Sequence, residues 1–153
     1  MKSNIEKYFV EHLAIRALID GYNDIVNNRN WEAIPQIFAT KSIWKATAPV
    51  NLQWEGIEEI KIELPKSAER MEVLIQSSSG VVIEVINRNQ ATVRSLMSEF
   101  GRSTENGEGF HAVCTYHDVV IIENGNWKFK TRSLELKYFD TLPVPGNISG
   151  YKY

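Results

Sequence analysis

The chain has 153 residues with 17 basic and 19 acidic side chains, a formal charge of −2, and is 43% apolar and 10% aromatic. A sequence of this length and balance can bury a full core as a single domain spanning residues 1–153, and its near-neutral charge offers no global attraction to nucleic acid or anionic lipid. The only cysteine, Cys114, excludes an intrachain disulfide framework, no Cys/His cluster has metal-ligand spacing, and no stretch approaches the ~18 apolar residues of a membrane span. The expected setting is cytoplasmic, with no metal and no membrane partner.

Apolar residues recur with helical period from Ile5 to Val26, and Ser3 with Glu6 forms a capping-box pattern at the start. A shorter helix is expected over Trp31 to Phe38, with Pro35 in its first turns, and then a short strand over Ser42 to Ala48 ended by Pro49. A third helical pattern runs from Glu55 to Leu64; Pro65 interrupts it, and the period resumes from Ser67 to Leu74. The second half is rich in β-branched residues that alternate: Val81 to Ile86, Ala91 to Phe100, Ala112 to Ile122 and Trp127 to Tyr138. Asn124-Gly125 between the last two runs is a strong two-residue hairpin signal. Residues 142–153 read as an irregular tail. Helices first and antiparallel strands afterwards define an α+β domain.

With Asn124 and Gly125 as the loop, Glu123 pairs with Asn126, and regular counting places Ile122/Trp127, Val120/Phe129, Asp118/Thr131, Tyr116/Ser133 and Cys114/Glu135 on one face. This face passes from apolar to polar away from the turn, as expected for a concave surface that opens into a cavity. The opposite face receives His117 with Arg132, and Leu134, Leu136, Val113 and Thr115, an apolar outer patch suited to a second subunit or to cover by the tail. A one-residue bulge would exchange the faces beyond it.

Asp118, expected on the concave face between Tyr116, Val120 and Thr131, is the preferred base, because partial desolvation raises a carboxyl pKa. Asp24 is offset toward solvent. His111, His117 and His12 do not converge as ligands, and Cys114 reads as a buried inert thiol. Tyr22, Trp44, Trp127 and Phe129, together with Trp54, Met71 and Met97, can line an apolar cavity and favour a flat hydrophobic ligand.

Several segments in order resemble the SnoaL-like branch of the nuclear-transport-factor-2-like superfamily: Ala14 through Tyr22, Trp31 to Phe38 with Ser42-Ile43-Trp44, Trp54-Glu55-Gly56-Ile57, Gln76 to Ile86, Tyr116-His117-Asp118 and Asn126-Trp127-Lys128-Phe129 with Arg132. The resemblance implies a cone-shaped α+β barrel, with N-terminal helices on the concave face of a curved, mostly antiparallel sheet, a deep pocket between them, and frequent homodimerisation through the outer sheet face. Relatives include polyketide cyclases, scytalone dehydratase, a dehydrochlorinase and dioxygenase small subunits. The base dyad of the dehydrating and dehydrochlorinating relatives falls on Asn27 (for the aspartate) and Gln76 (for the histidine). Both are amides, which cannot abstract a proton at neutral pH.

The sequence therefore leads to a protein that binds a small hydrophobic or aromatic molecule. If catalytic, it is a cofactor-free lyase or isomerase with Asp118 as base and Tyr116 polarising the substrate, while Tyr22, Asn27, Trp44, Gln76, Trp127 and Phe129 contact the ligand. The alternatives are a non-catalytic dimeric binding or assembly module and an accessory subunit of a ring-hydroxylating oxygenase.

Overall fold

A computed structural model describes residues 3–149. The N-terminal helical pattern forms two helices, α1 (Asn4–Lys7) and α2 (Phe9–Asn28), because Tyr8 leaves helical geometry at φ −127°. The capping box is present: Ser3 Oγ accepts from the Glu6 amide at 3.2 Å, and the Ser3 amide donates to the Glu6 carboxylate at 2.6 Å. One face of α2 is buried through Ile15, Leu18, Ile19, Tyr22, Ile25 and Val26, whereas Phe9 and Leu13 are exposed.

The expected second helix is a single 3-10 turn at Trp31–Ala33 followed by α3 (Ile34–Ile37), and Phe38 already begins strand β1 (Phe38–Ala46). Strand β2 (Leu52–Glu55) was not expected, being too short to show alternation. Helix α4 (Ile57–Glu69) runs through Pro65 without a break, and Met71, expected to be helical, begins a long strand β3 (Met71–Asn87). Burial of Ile60, Leu64 and Ala68 along one face of α4 holds the helix together across the missing proline amide. Strands β4 (Gln90–Ser103), β5 (Gly109–Glu123) and β6 (Asn126–Thr141) complete one six-stranded sheet in the order β2-β1-β6-β5-β4-β3, antiparallel except for the β1/β6 pair. The sheet is curved and unclosed, and the N-terminal helices pack into its concave side as expected.

The β5/β6 hairpin corrects the expected register. Its turn is as read: Glu123 pairs with Asn126, and Asn124 and Gly125 have φ of 52° and 79°, both in the left-handed region that such a turn requires. Regular pairing continues to Val120/Phe129, after which Lys130 is an extra residue, so that Val119 faces Thr131 and Asp118 faces Arg132 rather than Thr131. Tyr116 now opposes Leu134 rather than Ser133, and Cys114 opposes Leu136 rather than Glu135. A second extra residue, Lys137, separates Cys114/Leu136 from Val113/Tyr138. The inward face of β5 is as expected. That of β6 is not: Arg132, Leu134 and Leu136 turn inward, and Leu134 and Leu136 leave the outer apolar patch to which they were assigned. His117 faces outward beside Ser133, and its Nε2 lies 2.8 Å from the Glu135 carboxylate.

Candidate active site

Between α2, α4 and the concave face of β3 to β6 lies a cavity of about 360 Å³ whose wall is predominantly aromatic and aliphatic. Tyr22 from α2, Trp44 from β1, Gln76 from β3 and Tyr116 from β5 all line it, so four of the residues selected from sequence come together there. Trp44 is held flat by stacking on Trp54, with ring centroids 4.4 Å apart. The hydroxyls of Tyr22 and Tyr116 lie 3.4 Å apart, and burial pushes the Tyr116 hydroxyl well above its ordinary pKa, which keeps it a proton-bearing donor.

Against these two rings, and outside the cavity lining, is the guanidinium of Arg132. Its central carbon sits 3.6 Å from the centroid of Tyr116, 4.0 Å from that of Tyr22 and 4.5 Å from that of Phe129. A flat, weakly hydrated cation is suited to such an aromatic box, which offsets part of the cost of burying it. Arg132 Nη1 donates to Asp118 Oδ2 at 2.7 Å, and both side chains are fully buried. Burial pushes the Asp118 carboxyl up to about 7 against the opposing pull of the Arg132 charge. Asp118 is thus raised, as expected, but it faces Arg132 and does not line the cavity.

Met71, also selected from sequence, lines the cavity too, whereas Asn27, Phe129, Trp127 and Asp24 have other places. Asn27 is a tie between helix and strand: its Nδ2 donates to the Gln76 carbonyl at 2.8 Å, and its Oδ1 accepts from the Gln76 amide at 2.7 Å. Phe129 belongs to the core, against Phe38 and Tyr22, and Trp127 lines a separate surface groove with Ala14, Leu18 and Pro35. Asp24 is exposed, as expected. The Cys114 thiol lines the cavity and is pushed up to about 12 by burial and by the charge of Glu99, so it stays protonated and inert. Among the described residues no three His, Cys, Asp or Glu side chains are grouped to hold a metal. No helix among them is long and apolar enough to cross a membrane.

Sequence reading missed Glu99. It lines the cavity, and Gln76 Nε2 donates to its Oε2 at 2.7 Å. Burial raises its pKa, with the Gln76 hydrogen bond opposing. The signal was available: Ala91, Val93, Ser95 and Met97 alternate inward along β4, and Glu99 continues that parity.

Helices that close the concave side of an open, curved sheet over an apolar cavity, with one carboxyl in its wall, define a class of small α+β pocket domains. The SnoaL-like domain model matches residues 10–133, and the chain belongs to that family, within the nuclear-transport-factor-2-like group. Comparison with curated protein sequences finds no match. Among solved structures, the chain is similar to a candidate scytalone dehydratase from Novosphingobium aromaticivorans DSM 12444, with 21% identity over 94% of this chain and 99% of that one and a TM-score of 0.79. It is similar also to the hexachlorocyclohexane dehydrochlorinase LinA-type3 from Novosphingobium barchaimii LL02 (16% identity, 97% and 100% covered, TM-score 0.80). A third similar structure is a candidate aromatic ring hydroxylase from Novosphingobium aromaticivorans (14% identity, 85% and 92% covered, TM-score 0.77). At these identities the likeness is one of fold.

Proposed function

We propose that the cavity binds a small, mostly apolar molecule and carries out cofactor-free proton transfer on it, of the kind used in elimination, cyclisation or isomerisation, with Glu99 as the base. The observation that carries this reading is the position of Glu99 as the one carboxyl in the cavity lining among the described residues, with a pKa raised by burial. A carboxyl raised toward the working pH is a stronger base once ionised, and an apolar wall keeps water from competing for the proton. The Tyr116 and Tyr22 hydroxyls are placed to hydrogen-bond a substrate oxygen as negative charge develops on it, and the Arg132 cation behind their rings favours that charge. Asp118, the base expected from sequence, is assigned here to holding Arg132 in place. The elimination chemistry named for two of the similar structures supports the reading at the level of reaction type.

Deuterium uptake next to the carbonyl of 2-indanone in D₂O, followed by proton NMR, tests this reading. Wild-type protein is expected to accelerate exchange over buffer, and Glu99→Gln to lose about 10²-fold or more of that acceleration while still binding the ketone. Binding without exchange in the wild type would instead favour a non-catalytic binding module. That second reading draws on the amides at Asn27 and Gln76, the first of which is consumed by a structural tie.

A further inference from the structure

Gln76 is buried in the cavity wall, and its side-chain oxygen is unpaired. Three contacts fix its position. Asn27 clamps both its backbone amide and its backbone carbonyl, so the residue cannot slide along the strand, and its Nε2 is committed to Glu99 Oε2 at 2.7 Å. In its ionised form, the form that acts as base, Glu99 only accepts, so the amide nitrogen faces Glu99 and the amide oxygen faces away from it. Oε1 is then a buried acceptor without a donor, a condition that is unfavourable unless something supplies the missing hydrogen bond.

The wall does not supply it. One of the Tyr22 and Tyr116 hydroxyls donates to the other at 3.4 Å and the second is out of hydrogen-bond reach of Gln76 Oε1, while Ser67 Oγ donates to the Leu64 carbonyl at 2.7 Å. The indole N–H of Trp44 is itself unpaired, so it does not serve Gln76. The rest of the lining offers the weak donor Cys114 and apolar side chains such as Val26 and Ala112. The donor has to come from the contents of the cavity. Water can provide it when the cavity is unliganded, but a ligand that displaces the water must provide it in turn.

We infer that the ligand of this cavity carries a hydrogen-bond donor, a hydroxyl or N–H, seated on Gln76 Oε1 beside Glu99, and that Gln76 selects for it. This rests on the cavity reading above and deepens it by naming a functional group on an otherwise apolar ligand. A site built to pair a ligand hydroxyl rejects the analogue that cannot donate far more strongly than an apolar pocket distinguishes a methyl group. Gln76 is a positioning residue here: it orients the ligand against Glu99 and takes no proton.

The test is calorimetric titration near neutral pH with two probes that share the naphthalene ring and its oxygen, 2-naphthol, which carries the donor proton, and 2-methoxynaphthalene, which carries a methyl group in its place. Wild-type protein is expected to bind the naphthol at least about tenfold more tightly than the ether, the size of a buried acceptor left unpaired. Gln76→Met keeps the length of the side chain and leaves the Asn27 clamp intact, because that clamp holds main-chain atoms. It is expected to bring the two affinities together, chiefly by improving the ether. Equal affinities in the wild type, or a preference that survives in Gln76→Met, would overturn the inference while leaving the cavity reading intact. If neither probe binds, the cavity reading fails and this inference fails with it. Should Gln76→Met not fold, the ratio of the two probes on wild-type protein still decides the case.

Discussion

Arg132 and Asp118 form an ion pair of 2.7 Å between two side chains with no solvent exposure, one on each strand of the β5/β6 hairpin. Burial dominates the pair on the acidic side, since the Asp118 carboxyl is raised to about 7 despite the adjacent cation. The sign of the resulting pH dependence follows. In the unfolded chain this carboxyl titrates near about 3.9, so at pH 5 the folded state holds a proton that the unfolded state has released. The contribution is complete below about pH 4 and is lost as pH rises through about 7, on the order of 4 kcal/mol in all. Glu99, also raised by burial, acts in the same direction. Stability from urea unfolding is therefore expected to fall between pH 5 and pH 8, and Asp118→Asn to remove most of that slope. A flat wild-type profile would count against the raised carboxyl.

Removing the cation has a different consequence. Arg132→Met leaves Asp118 buried without its partner and empties the aromatic box formed by Tyr22, Tyr116 and Phe129. Breaking one side of a buried pair costs about 3–5 kcal/mol, so the urea midpoint of this variant at pH 7.5 is expected to fall accordingly. Arg132→Lys should recover little, because an ammonium cannot stack flat against three rings.

The rate of any proton transfer in the cavity should follow the ionisation of Glu99. Activity is expected to rise with pH through a value above the ordinary 4.5 of a glutamate, because burial raises this carboxyl and only its ionised form abstracts a proton. Deuterium exchange measured across pH 4–9 reads the limb directly, and Glu99→Gln should abolish it rather than shift it.

Asn27 is the residue that the family resemblance sets against an aspartate, and Asn27→Asp is expected to create no base. The side-chain nitrogen lost in that change donates to the Gln76 carbonyl, and an ionised carboxylate there would oppose that oxygen. A loss of about 2 kcal/mol in urea unfolding, with no gain in exchange activity, is the expected outcome.

How much of this was legible in the sequence depended on whether a signal was local. The Asn124-Gly125 turn and the inward parity of Tyr116 and Asp118 on β5 follow from two residues that demand positive φ and from strict alternation. Lys130 is an ordinary strand residue with nothing to mark it as extra, so Arg132 was read on the wrong face. The length of β3 was hidden because Ser77-Ser78-Ser79-Gly80 lacks strand-forming side chains. There Gly80, at φ 56°, sits in a register shift that β4 supports by pairing on both sides. Glu99 was legible only through the parity of β4, because a lone glutamate after a polar Ser98 carries no local sign of burial.

The two extra residues in β6 make this strand sensitive to length in a way it is not sensitive to composition. Lys130 and Lys137 can be exchanged for other residues at little cost, whereas deleting Lys130 would rotate Arg132, Leu134 and Leu136 out of the interior together. Among natural variants of this chain, insertions and deletions should accordingly be tolerated at the 104–108 turn and purged between 129 and 138. An alignment that places a gap in the latter stretch has mispaired Arg132 and the cavity-lining Leu134 and Leu136.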